Sequence, residues 1–376
     1  MKNGHPSLGR TDFSKTPFLA IWETTRSCAL ACKHCRASAL LGRDPDELST
    51  DEGKRLLDSA ADMGTPIFIL SGGDPLNRPD LAELVRYGKS RGLRMGTIPA
   101  ATENLTRSRI SELKDAGIDQ IAFSIDGPTA DLHDSFRKVP GSFAKTLEGV
   151  GFVRDAGVPL QINTCLAAWN FPLLEDLVTL VSSLGVVFWE VFFLIPTGRG
   201  KELESLSAEQ FELVFDRLHR LNGEQKFIIK LTEAPHYRRF VMQRERSAEQ
   251  VRHIIARPRG VDGAIGMSPE AVNSGKGFLF IDYRGDICPS GFLPIPAGNV
   301  RRDSLAEIYR DHPLFRDLRD PSKLKGKCGL CEFASVCAGS RARAHAVTGD
   351  HLESDPYCSY IPKRTGMAAR PTATSR

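Results

Sequence analysis

The sequence lacks any apolar run long enough to cross a membrane. Its most apolar stretch, Val186 to Ile195, is broken by Glu190, and Met1 to Phe13 contain no apolar core of the kind a secretory signal needs. Net charge is small, a formal +4 over 376 residues, which by itself argues for neither nucleic acid nor a membrane surface. The three tryptophans and six tyrosines are too scattered to form a stacking platform for a single strand. No long low-complexity linker divides the chain, and with 41% hydrophobic and 26% charged residues it is neither disordered nor fibrous in composition. Cysteine is scarce and odd in number: three of the nine lie near the start, Cys165 stands alone, and five follow residue 287. A secreted disulfide framework would be even and more widely spread, so the expectation is a cytoplasmic protein with metal-binding thiols. Cys165, inside the apolar run Leu160 to Leu166, reads as a packing residue.

What is present is a regular alternation of short apolar strands and amphipathic helices. Strands are expected at Thr16 to Glu23, Pro66 to Leu70, Leu93 to Ile98, Gln120 to Ile125, Pro159 to Cys165 and Val186 to Ile195. Helices fall between them, the first opened by a capping box at Ser49-Thr50-Asp51-Glu52. Gly64, Gly92, Gly117, Gly157 and Gly185 each stand where a helix stops and a strand begins. Repeated βα units imply a parallel sheet covered by helices, either an open wound sheet or a partial barrel, with functional groups at the carboxyl ends of the strands. Beyond Gly200 come a helix from Ser207 to Leu221, a seventh strand at Phe227 to Leu231, a basic stretch from His236 to Arg259, and a hairpin from Phe278 to Cys288 turning near Arg284-Gly285.

The first strand delivers Cys28-Ala-Leu-Ala-Cys32-Lys-His-Cys35. Three thiolates leave one iron of a cubane cluster open, and an open metal position is what chemistry requires. On spacing alone, a zinc clip or a pair of redox thiols fits Cys32-Lys-His-Cys35 as well. The second strand ends in Ser71-Gly72-Gly73-Asp74-Pro75, the fourth in Ser124-Ile125-Asp126-Gly127, and the sixth in Ile195-Pro196-Thr197-Gly198-Arg199.

Taken in this order, the cysteine triad, the glycine pair and Ser-Ile-Asp-Gly resemble the radical S-adenosylmethionine (SAM) superfamily over nearly the whole chain. The resemblance implies an α/β fold: a partial (β/α)6 barrel of parallel strands, with a [4Fe–4S] cluster on Cys28, Cys32 and Cys35 whose open iron is bound by SAM. It implies SAM contacts at Gly72, Gly73, Asp74, Ser124, Arg137, Asn163 and Ile195. In the family the third residue of the glycine loop is more often glutamate, so Asp74 is a shortened version of that carboxylate. Gly72 and Gly73 are expected to let the backbone approach the ligand closely, and Asp74 to accept hydrogen bonds from the methionine ammonium. Asp126 and His133 are read as ordering the loop rather than as catalytic. Reductive cleavage of SAM then gives a 5′-deoxyadenosyl radical that abstracts hydrogen from substrate, a step that calls for no particular general base.

Cys328-Gly-Leu-Cys331-Glu-Phe-Ala-Ser-Val-Cys337 and the later Cys358 form a four-thiolate set that zinc also fits on spacing. After such a core they resemble a SPASM extension, whose seven-cysteine form binds two auxiliary clusters. These four match the set for the second cluster. For the first, only Cys288 remains, and Arg341 stands where another ligand is expected; arginine offers iron no lone pair. One auxiliary [4Fe–4S] cluster is therefore expected, with Cys288 unligated or assisted by a substitute.

The implied organisation is an arm at 1–15, a radical SAM core at 16–200, a bridging region at 201–277, a small cysteine-rich SPASM-like domain at 278–362 and a tail at 363–376. The stretch Arg341 to Asp350 followed by Asp355-Pro-Tyr-Cys358 is similar to enzymes of alternative haem and haem d1 biosynthesis, and also to peptide maturases such as the mycofactocin enzyme. One departure is Ser340, where the haem b type often has cysteine. The expected substrate is a tetrapyrrole, through oxidative decarboxylation or side-chain removal on an iron porphyrin. A ribosomal peptide and a noncatalytic iron–sulfur or zinc protein are the alternatives. The residues before Thr16 are too few for a leader-binding domain, so a peptide maturase would take that function from a separate protein. The arginines between Tyr237 and Arg259 are either propionate partners or a solvated basic helix. A flavodoxin or ferredoxin is the expected electron donor.

Overall fold

The computed structural model describes residues 11–244 and 271–363. Ten strands form one sheet in the order β10-β9-β8-β1-β2-β3-β4-β5-β6-β7. Its parallel part consists of β1 (Leu19–Glu23), β2 (Ile67–Ser71), β3 (Arg94–Thr97), β4 (Gln120–Ser124), β5 (Leu160–Leu166), β6 (Phe188–Phe193) and β7 (Ile228–Thr232). Along each strand, alternate residues face opposite sides. Ala20, Trp22, Phe68, Leu70, Met95, Ile121, Phe123, Ile162, Trp189 and Val191 join the core beneath the helices. Their neighbours Leu19, Ile21, Ile69, Gly96, Ala122, Gln161, Asn163, Glu190 and Lys230 line a single cavity. One cavity faced by all seven strands means that the sheet wraps around it, which selects the partial barrel over the flat wound sheet.

The helices lie outside: α1 (Thr50–Asp62), α2 (Leu81–Ser90), α3 (Arg107–Asp115), α4 (Ala130–Arg137), α5 (Ser142–Asp155), α6 (Leu174–Ser183), α7 (Ala208–Glu224) and α8 (Tyr237–Arg244). Ser49 caps α1 in a reciprocal box with Glu52, and Ser207 caps α7 in one with Gln210. The five glycines at helix ends all take positive φ, from 65° to 90°, where a side chain would be strained. The eight-residue α4 was not expected from the sequence; only Leu132 and Phe136 are large and apolar in it.

The hairpin of β8 (Phe278–Ile281) and β9 (Asp286–Cys288) turns at Gly285, and β10 (Gly298–Asn299) pairs with β9. β8 pairs in parallel with β1, Leu19 opposite Phe278. The hairpin that carries Cys288 is thus continuous with the barrel sheet. Among the described residues no helix is long and apolar enough to cross a membrane.

Candidate active site and auxiliary cluster site

Cys28, Cys32 and Cys35 lie together in the wall of the barrel cavity, whose volume is about 450 Å³. Cys28 and Cys32 are buried and Cys35 is half-buried. The loop that carries them is clamped from two sides. From β2, the amide of Gly73 donates to the Thr25 carbonyl at 2.6 Å and that of Asp74 to the Ser27 carbonyl at 2.7 Å. A Cβ on Gly73 would lie 2.4 Å from the Ser27 carbonyl, and one on Gly72 would lie 2.7 Å from that of Thr25. These glycines thus let β2 approach the cysteine loop closely. From the end of β6, Arg199 donates through its amide to the Cys35 carbonyl at 3.1 Å and through Nε to the Cys32 carbonyl at 2.9 Å. Gly198, with φ 54°, passes so close that a Cβ would meet the Arg36 carbonyl at 2.3 Å.

Of the sequence-predicted SAM contacts, Gly72, Gly73, Ser124, Arg137, Asn163 and Ile195 all line this cavity. Asp74 does not. It is fully buried, and its carboxylate accepts from Thr102 Oγ1 at 2.6 Å and from the amides of Leu76 at 3.1 Å and Ala100 at 3.3 Å. One methylene shorter than glutamate, it caps the 3₁₀ turn Pro75–Asn77. Cys165 reaches the cavity wall half-buried, where a packing residue was expected, and burial raises its thiol pKa.

Arg137, at the end of α4, lies between two partners. Its Nη1 approaches Cys32 Sγ at 3.5 Å, and its Nη2 forms an ion pair with Asp126. Asp126 also accepts from the Cys165 amide at 2.8 Å. Burial alone would raise the Asp126 pKa, but chiefly the Arg137 guanidinium holds it below the usual carboxylate range. His34 stacks on Phe136 with ring centroids 4.8 Å apart, and burial lowers its pKa to about 4, so it is neutral. Glu190, Lys230 and Gln161 also line the cavity and carry no sequence motif. Glu190 on β6 pairs with Lys230 on β7 at 2.8 Å and accepts from Gln161 at 2.9 Å; Gln161 in turn donates to Asn163 at 2.6 Å.

The three thiols suit a cluster with an open iron. The Leu30 amide donates to Cys28 Sγ at 3.4 Å, the kind of contact that supports a ligating sulfur. Burial pushes the free Cys28 thiol up to about 12 and raises Cys32, so these groups become thiolates only when a metal takes the place of the proton. Three thiolates on separate irons of a cubane leave its fourth iron open to a ligand.

Cys328, Cys331, Cys337 and Cys358 line a second, smaller cavity. The Asp355 amide donates to Cys328 Sγ and the Gly339 amide to Cys337 Sγ, each at 3.4 Å. Burial pushes Cys337 up to about 12 and raises Cys331 and Cys358. Arg341, fully buried, donates to the carbonyls of His351 at 2.9 Å and Glu353 at 2.7 Å, with Nη2 3.8 Å from Cys328 Sγ. Cys288 lines neither cavity; it is buried on β9 and raised to about 12 by burial, with Asp282 and Asp286 adding to the shift.

Within the basic stretch, Arg239 pairs with Glu212, and Arg244 pairs with Asp216 at 2.6 Å. Arg238 lines the barrel cavity, donating to the Val272 carbonyl at 2.9 Å and the Val336 carbonyl at 3.4 Å. Arg246, Arg252, Arg257 and Arg259 lie outside the described residues.

Residues 22–173 match the radical SAM superfamily, and residues 273–332 match SPASM, an iron–sulfur cluster-binding domain. The chain is 41% identical over 349 residues to an AdoMet-dependent heme synthase of Methanosarcina barkeri, covering 93% of this chain and 98% of the relative. It is 28% identical to a PqqA peptide cyclase of Rhodopseudomonas palustris, over 92% of this chain and 88% of that one. In fold it is similar to Streptococcus suis SuiB bound to S-adenosylmethionine, with a TM-score of 0.71 at 15% identity over 92% of this chain and 78% of that one. With a cysteine triad at the mouth of a parallel barrel and relatives alike over their full length, the chain belongs to the radical SAM superfamily, as a radical SAM enzyme that uses a [4Fe–4S] cluster with AdoMet and carries a SPASM-type iron–sulfur domain.

Proposed function

We propose that this enzyme decarboxylates propionate side chains of an iron porphyrin. The observation that carries the reading is the 41% identity, end to end, with a protein named AdoMet-dependent heme synthase. In this reading Cys28, Cys32 and Cys35 hold the cluster. Gly72, Gly73, Ser124, Arg137, Asn163 and Ile195 surround AdoMet, and Cys328, Cys331, Cys337 and Cys358 hold one auxiliary cluster. What the bound cluster and AdoMet supply is one-electron cleavage of a carbon–sulfur bond and, from it, hydrogen-atom abstraction.

The chain's own residues bind, orient and exclude water. Phe192, Leu194, Ile195, Phe280 and Phe292 give the cavity an apolar wall suited to a macrocycle. Arg238 has no carboxylate partner among the described residues, so a propionate completes it, bidentate to the guanidinium. Asn163 is held by Gln161, and Gln161 by Glu190, so the row crosses the cavity floor pre-oriented. Once the hydrogen atom beside the carboxylate-bearing carbon is gone, the carboxylate leaves as carbon dioxide and a carbon–carbon double bond forms. One electron goes to a one-electron acceptor. Nine unpaired cysteines support a cytoplasmic setting, with a flavodoxin or ferredoxin as reductant.

The test is anaerobic turnover of the reconstituted protein with AdoMet, reductant and iron coproporphyrin. The expected result is 5′-deoxyadenosine formed together with a porphyrin lighter by carbon dioxide and two hydrogens for each propionate converted. Cleavage stimulated by a short peptide and indifferent to the porphyrin would overturn the reading in favour of a peptide maturase.

A further inference from the structure

We propose that Arg341 is the counter-charge of the iron–sulfur cluster on Cys328, Cys331, Cys337 and Cys358, and that it raises the reduction potential of that cluster. The inference rests on reading those four cysteines as one ligand set, and it does not depend on the substrate. Arg341 is fully buried as the first residue of the helix Arg341–Thr348. Its hydrogen bonds end on the carbonyls of Gly339, His351 and Glu353. Neither buried carboxylate of the region answers it. Asp355 pairs with Arg343 at 3.1 Å and accepts the Ser340 amide at 2.8 Å, while Glu233 accepts from Ser340 Oγ at 2.6 Å. The anionic partner within reach is Cys328 Sγ, 3.8 Å from Nη2.

A guanidinium removed from water without a counter-ion costs several kcal/mol. A cubane held by four thiolates is an anion whose charge grows by one on reduction. A fixed positive charge at its sulfur therefore compensates the cluster and favours the reduced form more than the oxidised one, moving the potential up. The amides of Asp355 and Gly339 on Cys328 and Cys337 act in the same direction. The other site shows the contrast within one molecule: Arg137 makes the same contact, 3.5 Å from Cys32 Sγ, but Asp126 neutralises it. The residue that stands in place of a ligand for a further cluster thus becomes a charge beside the cluster that remains.

An EPR-monitored redox titration of the reconstituted protein without AdoMet tests this, on the wild type and on Arg341→Gln and Arg341→Lys. In the wild type the auxiliary cluster is expected to reduce at a higher potential than the cluster of the triad. Arg341→Gln lowers the auxiliary potential by a tenfold or larger change in the one-electron equilibrium, about 59 mV, and leaves the other cluster unmoved. Arg341→Lys keeps most of the wild-type value. An unchanged potential in Arg341→Gln at full iron content overturns the proposal. Where Arg341→Gln does not retain the cluster, the wild-type order decides: an auxiliary potential at or below that of the triad cluster overturns it. Cys358→Ala separates the two layers of the argument, because both clusters surviving it would refute the ligand set itself.

Discussion

The two cysteine sites are built from similar parts and arranged to opposite ends. Each brings a guanidinium to a cysteine sulfur, Arg137 to Cys32 and Arg341 to Cys328. Each also aims backbone amides at sulfur. The first has three sulfurs at the wall of a large cavity and an arginine already paired with Asp126. The second has four sulfurs around a small cavity and an arginine with no carboxylate partner among the described residues. Sulfur count and charge balance, rather than the spacing of cysteines along the chain, separate a site open to a ligand from a site closed to one.

The comparison breaks most completely at the triad. Cys32→Ala is expected to reduce AdoMet cleavage to background while the four-cysteine site keeps its irons, as read by 5′-deoxyadenosine formation and an iron count. Asp126→Asn makes the first site resemble the second by leaving Arg137 uncompensated. Removing one partner of a buried pair costs about 3–5 kcal/mol, so thermal unfolding of the variant should occur well below the wild type. In the molecules that fold, the potential of the triad cluster should move up towards that of the auxiliary cluster. Gly73→Ala forces a methyl group against the Ser27 carbonyl and is expected to cost about 1–3 kcal/mol and to lower cluster loading at the triad alone.

The smallest effect is one of pH. Burial first, and Arg137 next, lower His133 from 6.5 to about 4, against the opposing pull of Asp126 and Asp134. Between those two values the unfolded chain binds the extra proton and the folded chain does not. Stability contributed by this group is complete above pH 6.5 and falls as pH drops towards 4, by about 1 kcal/mol from pH 6.5 to 5.5. Melting of the iron-free chain at those two pH values reads it; a His133→Gln variant should lose that part of the slope.

Much of this architecture was legible in the sequence because it is written in local signals. Strand periodicity, the Ser49 box and the five glycines at helix ends reappear as β1 to β7, the cap of α1, and the positive φ values. That Ser124, Arg137, Asn163 and Ile195 share a cavity with the cysteines was implied by the family resemblance, although the helix that carries Arg137 was not. What was not legible depends on side-chain reach and on contacts distant in sequence. Asp74 turns inward to Thr102, which no residue beside it announces. Gly72 and Gly73 meet Thr25 to Ser27, about fifty positions earlier. α4 carries too few large apolar residues to show a period, since His133 and Arg137 face the site. The pair Glu190–Lys230 joins two strands that are adjacent only in the sheet, and β8 joins β1 across most of the chain.

The most direct test of the two-site account is an iron and sulfide count after anaerobic reconstitution, on the wild type, Cys32→Ala and Cys358→Ala. One open and one closed cubane predict about eight irons per chain, falling to about four in each variant. About twelve irons in the wild type, or eight retained in either variant, would contradict it.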